Sequence, residues 1–137
     1  MKKALFLILA LVMCLSLCAC GGNSVKKACK EADELVSKWH SERNSGCVFK
    51  GEYIAEHDGY EVSMYMVYVR YPSEIDAMDR GAAFMKNTIA STLRDELHLQ
   101  LAEIFEGTDV AVGFILSDQS GNNTWCTILD GEIEYYN

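Results

Sequence analysis

The 137-residue chain contains a single proline, Pro72, only three histidines, and no lysine or arginine after Arg94. It also lacks repeats, low-complexity tracts and internal linkers. The stretch from Cys20 to Asn137 has the length of one typical domain and is long enough to bury a single core. A second domain is therefore excluded.

Basic charge is scarce in the part of the chain that follows the N-terminal leader. All 20 acidic residues lie there, against 10 basic residues once Lys2 and Lys3 are set aside, so this part carries a net charge of −10. Residues 95–137 hold nine acidic residues and no basic one. Binding to nucleic acid requires a basic patch that neutralises phosphates. We therefore exclude a nucleic-acid partner.

Long apolar runs are missing except at the N terminus. Lys2 and Lys3 precede the stretch from Ala4 to Leu17, whose 14 residues are apolar apart from Ser16. A helix that crosses a bilayer needs roughly 20 such residues, whereas a positive start, a short apolar run and small residues are typical of a secretory signal. The leader therefore predicts export and not a retained transmembrane helix.

The leader ends in Leu17-Cys18-Ala19-Cys20, which resembles the lipobox of bacterial lipoproteins. This resemblance implies that residues 1–19 are removed as a signal peptide and that Cys20 carries a diacylglyceryl group. Two acyl chains, at roughly 0.8 kcal/mol per buried methylene, hold a protein stably on a bilayer. Residues 20–24 would then be the lipidated cysteine and a short tether on the extracytoplasmic face of a bacterial cell membrane. The alternative is an ordinary signal peptide that ends at Ala19.

Residues 25–137 predict one α+β domain with the element order α-ββ-α-ββ(β). Apolar residues three and four apart predict a helix over 24–43 and a long central helix over about 81–105. Asp58-Gly59 and Asp130-Gly131 each predict a two-residue hairpin turn, because both positions tolerate positive φ. We expect an antiparallel sheet of four to five strands with both helices on one face. One bulged strand in place of the second hairpin is the alternative.

The Asp58-Gly59 turn also predicts which residues of the first hairpin face the core. It pairs His57 with Tyr60 and Phe49 with Tyr68, and directly paired residues share a face. We expect the more apolar face to be the inner one, with Phe49, Tyr53, Ala55, Tyr60, Val62, Met64, Met66 and Tyr68. The opposite face is expected to meet solvent and includes Tyr65, Val67 and Val69.

An aromatic sheet face turned away from the helices is the predicted functional site. The two hairpins place on it Tyr65, Val67, Val69, Trp125 and Tyr136. Tyrosine and tryptophan bury a large area at little entropic cost, so such a platform suits a protein, peptide or glycan partner outside the cell. The sequence thus predicts a membrane-anchored, non-catalytic binding module. Scattered surface apolar residues, or a face covered within the domain, are the alternative interpretations.

Three further cysteines, Cys29, Cys47 and Cys126, are an odd number for an exported protein. The compartment permits a disulfide, and the inward positions of Cys47 and Cys126 favour a bond between those two. Three buried thiols, each acting as a small hydrophobe, are the other interpretation. A catalytic thiol needs a base or positive charge that lowers its pKa, and the sequence places no histidine for that role.

Few residues suggest catalysis or metal binding, and no catalytic residue, metal or cofactor is predicted. Asp95 and His98 lie three apart on the long helix, but a metal site needs three or four ligands. Asp118 in its Gly-Asn loop would hold calcium only weakly. Two alternative functions stay open. One is a small hydrolase or metal-dependent enzyme that uses His57 or His98, and the other is an accessory subunit of a membrane complex with a large apolar patch.

Overall fold

The structure is a computed structural model that describes residues 24–42, 46–78 and 81–136. The predicted signal peptide, residues 1–19, lies outside the described residues, as do Cys20 and the tether up to Asn23. None of the described helices is both long and apolar enough to cross a bilayer.

Within the described residues, two long helices and five strands follow the predicted order, a short helix is added after β2, and the α+β class is confirmed. The elements are α1 (24–42), β1 (Val48–His57), β2 (Tyr60–Arg70), α2 (Ser73–Asp76), α3 (82–104), β3 (Ala111–Ser117), β4 (Thr124–Leu129) and β5 (Glu132–Tyr135). Both long helices contribute to one core cluster. The expected arrangement, with an N-terminal helix and a long central helix on one face of a sheet, is therefore present.

The buried side of α3 depends on a local change in helix type. Leucines four residues apart drift around a regular α-helix by about 40° per step, because each residue turns by about 100°. The segment Leu93–Leu97 is π-helical, with a wider turn that takes back part of this drift. Leu93, Leu97 and Leu101 therefore all stay buried against the sheet.

The sheet is mixed, and this corrects the expectation of purely antiparallel strands. The strand order is β1-β2-β3-β4-β5, and the inner strands β2 and β3 run parallel while every other pair is antiparallel. Helix α3 returns the chain to the end where β2 begins, and such a crossover is what parallel strands require. The β1–β2 hairpin is thus joined, through the parallel pair of β2 and β3, to the antiparallel strands β3, β4 and β5.

The second hairpin forms at the predicted turn. Asp130 and Gly131 both have positive φ, and Cys126 pairs with Tyr135 and Ile128 with Ile133. Cys126 and Ile128 are buried, which confirms the predicted inward position of Cys126. The alternative of a single bulged strand is wrong.

The first hairpin begins as predicted, but its two strands then shift by one residue. Asp58 and Gly59 form the turn and His57 pairs with Tyr60, yet the register changes between Ile54 and Glu56, where Ala55 of β1 faces the two residues Val62 and Ser63, so that β2 carries the extra residue. Phe49 consequently pairs with Val69 and not with Tyr68. A slip of one residue exchanges the faces of a strand. On β2 it is therefore Tyr65, Val67 and Val69 that face the core, and the predicted inner face of this strand is wrong.

Tyr65 connects the sheet to α1 across a glycine. Its ring lies over Gly51 of β1, and its hydroxyl donates a 2.6 Å hydrogen bond to Asp33 Oδ1 on α1. A Cβ on Gly51 would lie 2.6 Å from Cζ of Tyr65 and 3.1 Å from Cε1, so the ring and a side chain at position 51 cannot both fit. The ring is also held by Phe105, whose ring centroid is 5.3 Å away.

We predict that Gly51→Ala lowers the free energy of unfolding by about 3 kcal/mol, because a buried ring must move to admit the methyl group. Chemical denaturation of the full chain measures the loss. Glu52→Ala, at the next and exposed position of β1, is the matched control and should change stability by less than about 0.5 kcal/mol. Equal stability of the two variants would show that Tyr65 has room to move.

Candidate functional site

The predicted aromatic binding face does not exist as a surface. Tyr65, Val67 and Val69 are each 0% exposed, because the extra residue of β2, at Val62-Ser63, turns them under the helices. Only Trp125 and Tyr136 of the predicted set reach a concave surface, and they do so at one end of the sheet. The prediction of a platform built on Tyr65, Val67 and Val69 is therefore wrong.

Trp125 and Tyr136 instead line a pocket of about 400 Å³ beside the start of α3. The helix contributes Ala83, Lys86 and Asn87 from its first two turns. The sheet and the C-terminal segment contribute Tyr71, Leu116, Trp125, Cys126, Tyr135 and Tyr136. A concave, largely apolar space of this size with a few polar groups is typical of a small-molecule site.

A second bulge brings Trp125 into this pocket. Leu116 pairs with Cys126 but Ser117 pairs with Thr124, so Trp125 has no partner on β3. Bulges commonly redirect a side chain in this way, and Trp125 packs against the core cluster on the helix side of the sheet. Its carbonyl oxygen also accepts a 2.6 Å hydrogen bond from the Tyr136 N–H, which holds the C-terminal segment against the pocket.

The Trp125 ring has a neighbour on each face. Tyr71 stacks on it with centroids 4.6 Å apart and planes 17° apart, and Lys86 Nζ lies 3.4 Å from its centroid. Since a parallel ring at this separation fills one face of the indole, the ammonium lies over the other. Such a cation–π contact contributes about 0.5–2 kcal/mol, more as the site is desolvated. Lys86 is thereby held at the pocket wall.

Tyr71 carries the unusual polar group of the site. The residue is 1% exposed, and its hydroxyl has no hydrogen-bond partner among the described residues. Burial raises the pKa of this phenol above its ordinary value, and the nearby Cys47, Cys126 and Tyr135 raise it further. The group therefore stays protonated. Buried hydroxyls normally have partners, so an unpaired one at a pocket is a reason to look for a ligand.

The cysteines of the domain are thiols in this structure. Cys47 and Cys126 are buried and Cys29 is half-buried, and the predicted Cys47–Cys126 disulfide is not formed. Both of those thiols lie close enough to Tyr71 to affect its pKa. Burial also raises the pKa of Cys126 to about 11. A thiol with that pKa is protonated at neutral pH and is a poor nucleophile.

The residues considered for catalysis or metal binding lie apart from the pocket. His57 is exposed and pairs with Asp58 at 3.3 Å, and Arg94 Nε donates to Asp95 at 2.7 Å. His98 lies near Phe114, and burial lowers its pKa. Within residues 24–42, 46–78 and 81–136, no three His, Cys, Asp or Glu side chains are grouped to share a metal ion.

The Asp118 carboxylate stabilises the loop in which it lies. Its carboxylate accepts hydrogen bonds from the Ser120 hydroxyl, from the backbone N–H groups of Gly121, Asn122 and Asn123, and from the Asn123 amide. These donors, the Ser120 hydroxyl first, lower the pKa of Asp118 to about 2. The carboxylate is thus engaged in holding the turn between β3 and β4.

Sequence reasoning missed Tyr71, Lys86, Asn87 and Tyr135. One signal was available, because Lys86 is the only charged residue between Gly81 and Leu93. A single cation in three otherwise uncharged helical turns is typical of a charge placed for a contact. Tyr71 was interpreted only as the end of a strand before Pro72.

The chain matches no protein family, no curated protein and no solved structure. Its function is therefore inferred from the geometry of the pocket and from the leader.

We predict that Tyr71→Phe raises the free energy of unfolding by about 1 kcal/mol, because it removes a buried hydroxyl that has no partner and keeps the ring on Trp125. Tyr65→Phe is the matched control and should lower stability, since it removes the hydroxyl bonded to Asp33. Thermal and chemical denaturation of both full-length variants give the comparison. A loss of stability in Tyr71→Phe would mean that the hydroxyl is already satisfied.

Proposed function

We propose that the protein is a lipid-anchored binding protein on the outer face of a bacterial cell membrane, and that its domain holds a small ligand in the pocket between α3 and the β4–β5 hairpin. The pocket itself carries this proposal. It combines aromatic walls, one cation and a buried hydroxyl without a partner among the described residues. These are the features of a site that recognises a ligand through a few placed polar groups.

The leader supports the anchor. Leu17-Cys18-Ala19-Cys20 follows a run of 14 residues that is too short to span a bilayer. Attachment through two acyl chains on Cys20 accounts for both features.

The start of α1 and the pocket lie at opposite ends of the domain. Helix α1 runs antiparallel to β1, because Asp33 contacts Tyr65 over Gly51 while the later His40 accepts a 3.3 Å hydrogen bond from Phe49 N–H. The start of α1 therefore lies towards the Asp58-Gly59 turn. Tyr71 and Trp125 are at the other end of the sheet, about 30 Å away for strands of this length. An anchor at Cys20, four residues before α1, would accordingly hold the pocket at the end of the domain that is farther from the bilayer.

Binding accounts for the pocket better than catalysis does. No lining residue is a histidine or a carboxylate. The lining thiol of Cys126 is held protonated by its raised pKa, and neither His57 nor His98 lines this pocket. A hydrolase needs a nucleophile and a base within hydrogen-bond reach of each other.

One observation favours a subunit of a membrane complex as a second candidate. The core cluster lies wholly on the helix side of the sheet and does not include the apolar Met64, Met66 or Ile115 of the other face. Met66 there covers Gly113, next to the exposed Leu129. This face would suit an apolar partner surface.

We predict that the Cys20→Ala chain is not lipidated, because it has no thiol at position 20 to receive the lipid. The measurement is metabolic labelling with a fatty acid, together with partition into a detergent phase. Cys18→Ala is the matched control, since it removes a leader cysteine and keeps Cys20. Equal labelling of the two variants would contradict the anchor at Cys20.

We predict that Ala83→Phe abolishes capture of hydrocinnamamide, an uncharged phenyl compound, because the new ring fills the pocket from α3. Binding to the full chain in detergent is followed by Trp125 emission, with Trp39 buried in the core as a constant background. Ala102→Phe, at an exposed position of the same helix and outside the pocket, should bind like the parent. Saturable binding that survives Ala83→Phe would place the ligand elsewhere.

A further inference from the structure

We propose that the ligand is a carboxylate joined to an aromatic or other flat apolar body. The proposal rests on the binding function inferred above and names the chemistry that the pocket selects. Free aryl acids and the C-terminal residue of a peptide share this chemistry.

Three polar groups of the pocket can donate hydrogen bonds. Lys86 brings an ammonium group, Asn87 beside it brings an amide, and Tyr71 brings a phenol that stays protonated. None of the nine lining residues is Asp or Glu. The charge of the pocket lining is thus opposite in sign to that of the exported part of the chain, which carries a net charge of −10. An acceptor with negative charge is the group that these donors suit.

The position of Lys86 on α3 adds to this preference. Ala83 lies in the first turn of the helix, and Lys86 and Asn87 in the second. The N-terminal end of a helix carries the positive end of its dipole, which favours an anion nearby. No acidic residue lies in that first turn to compete for it.

The remaining walls suit a flat apolar body. The stacked pair of Tyr71 and Trp125, together with Leu116 and Tyr135, surrounds a space of about 400 Å³. Small-molecule sites begin at roughly 300 Å³, so the space holds one ring with a short chain and not an extended polymer. The ligand therefore presents its charge to the helix and its body to the aromatic residues.

A single negative charge fits better than a phosphate. Phosphate sites commonly use arginine forks or several backbone N–H groups that together match three oxygens. Here α3 contributes one ammonium, that of Lys86, and one amide, that of Asn87, a small set of donors that suits the two oxygens of a carboxylate. Inorganic phosphate is accordingly the anion that we use as a competitor in the test.

The test compares acids with their own amides. The full chain in detergent is titrated with hydrocinnamate and hydrocinnamamide, and with N-acetylphenylalanine and its amide, and Trp125 emission reports binding. We expect each acid to bind at least about tenfold more tightly than its amide, because hydrogen bonds to a charged group are stronger than those to a neutral group. Lys86→Met should remove most of this preference, and Lys86→Arg should restore much of it. Lys38→Met, on the exposed side of α1, is the control for charge alone and should keep it.

The outcomes separate the two proposals. Equal binding of acid and amide, abolished by Ala83→Phe, overturns the carboxylate inference and leaves the pocket in place. Competition by inorganic phosphate as strong as that by hydrocinnamate also overturns it. Binding of none of the four compounds overturns the carboxylate inference and the binding function together. Tighter binding of N-acetylphenylalanine than of hydrocinnamate supports a peptide terminus as the source, and the reverse supports a free acid.

Discussion

The packing of Tyr65 over Gly51 is the constraint on which the rest of the domain depends. The ring needs a glycine beneath it, and its hydroxyl then reaches Asp33 and joins α1 to the middle of the sheet. This contact sets which face of β2 is buried. Together with the hydrogen bond from Phe49 N–H to His40, it also fixes the direction of α1. Replacing Tyr65 or Asp33 would remove one polar link between the helix and the sheet, although the apolar stripe of α1 would still be buried.

Two single-residue bulges shape both the core and the pocket. The extra residue of β2, at Val62-Ser63, turns Tyr65, Val67 and Val69 inward, and the extra Trp125 of β4 turns an indole from the outer face towards α3. Each bulge acts locally on the ladder of hydrogen bonds, but because side chains alternate along a strand its effect extends along that strand. The core therefore gains Tyr65 from one bulge, and the pocket gains Trp125 from the other.

The pocket shows an expected relation between stability and function. Tyr71 keeps a buried hydroxyl without a partner among the described residues, whereas Lys86 makes a cation–π contact with Trp125. The unpaired hydroxyl costs folding free energy when nothing is bound. A ligand that accepts a hydrogen bond from it would offset that cost. Unsatisfied groups of this kind are concentrated at binding sites in many proteins, since sites are selected for the bound state.

The sequence by itself determined the element order, both hairpin turns and the inward position of Cys126. These follow from local patterns of spacing and charge, which act within a few residues. Only the tertiary structure decided the parallel pairing of β2 with β3, the inner face of β2 and the meeting of Lys86 with Trp125. The strand pairing needs the path of a helix between two strands, and the face of β2 depends on one inserted residue that no alternation pattern reveals. The pocket joins residues that are far apart in the chain, so its chemistry could be recognised only after the core had placed them together.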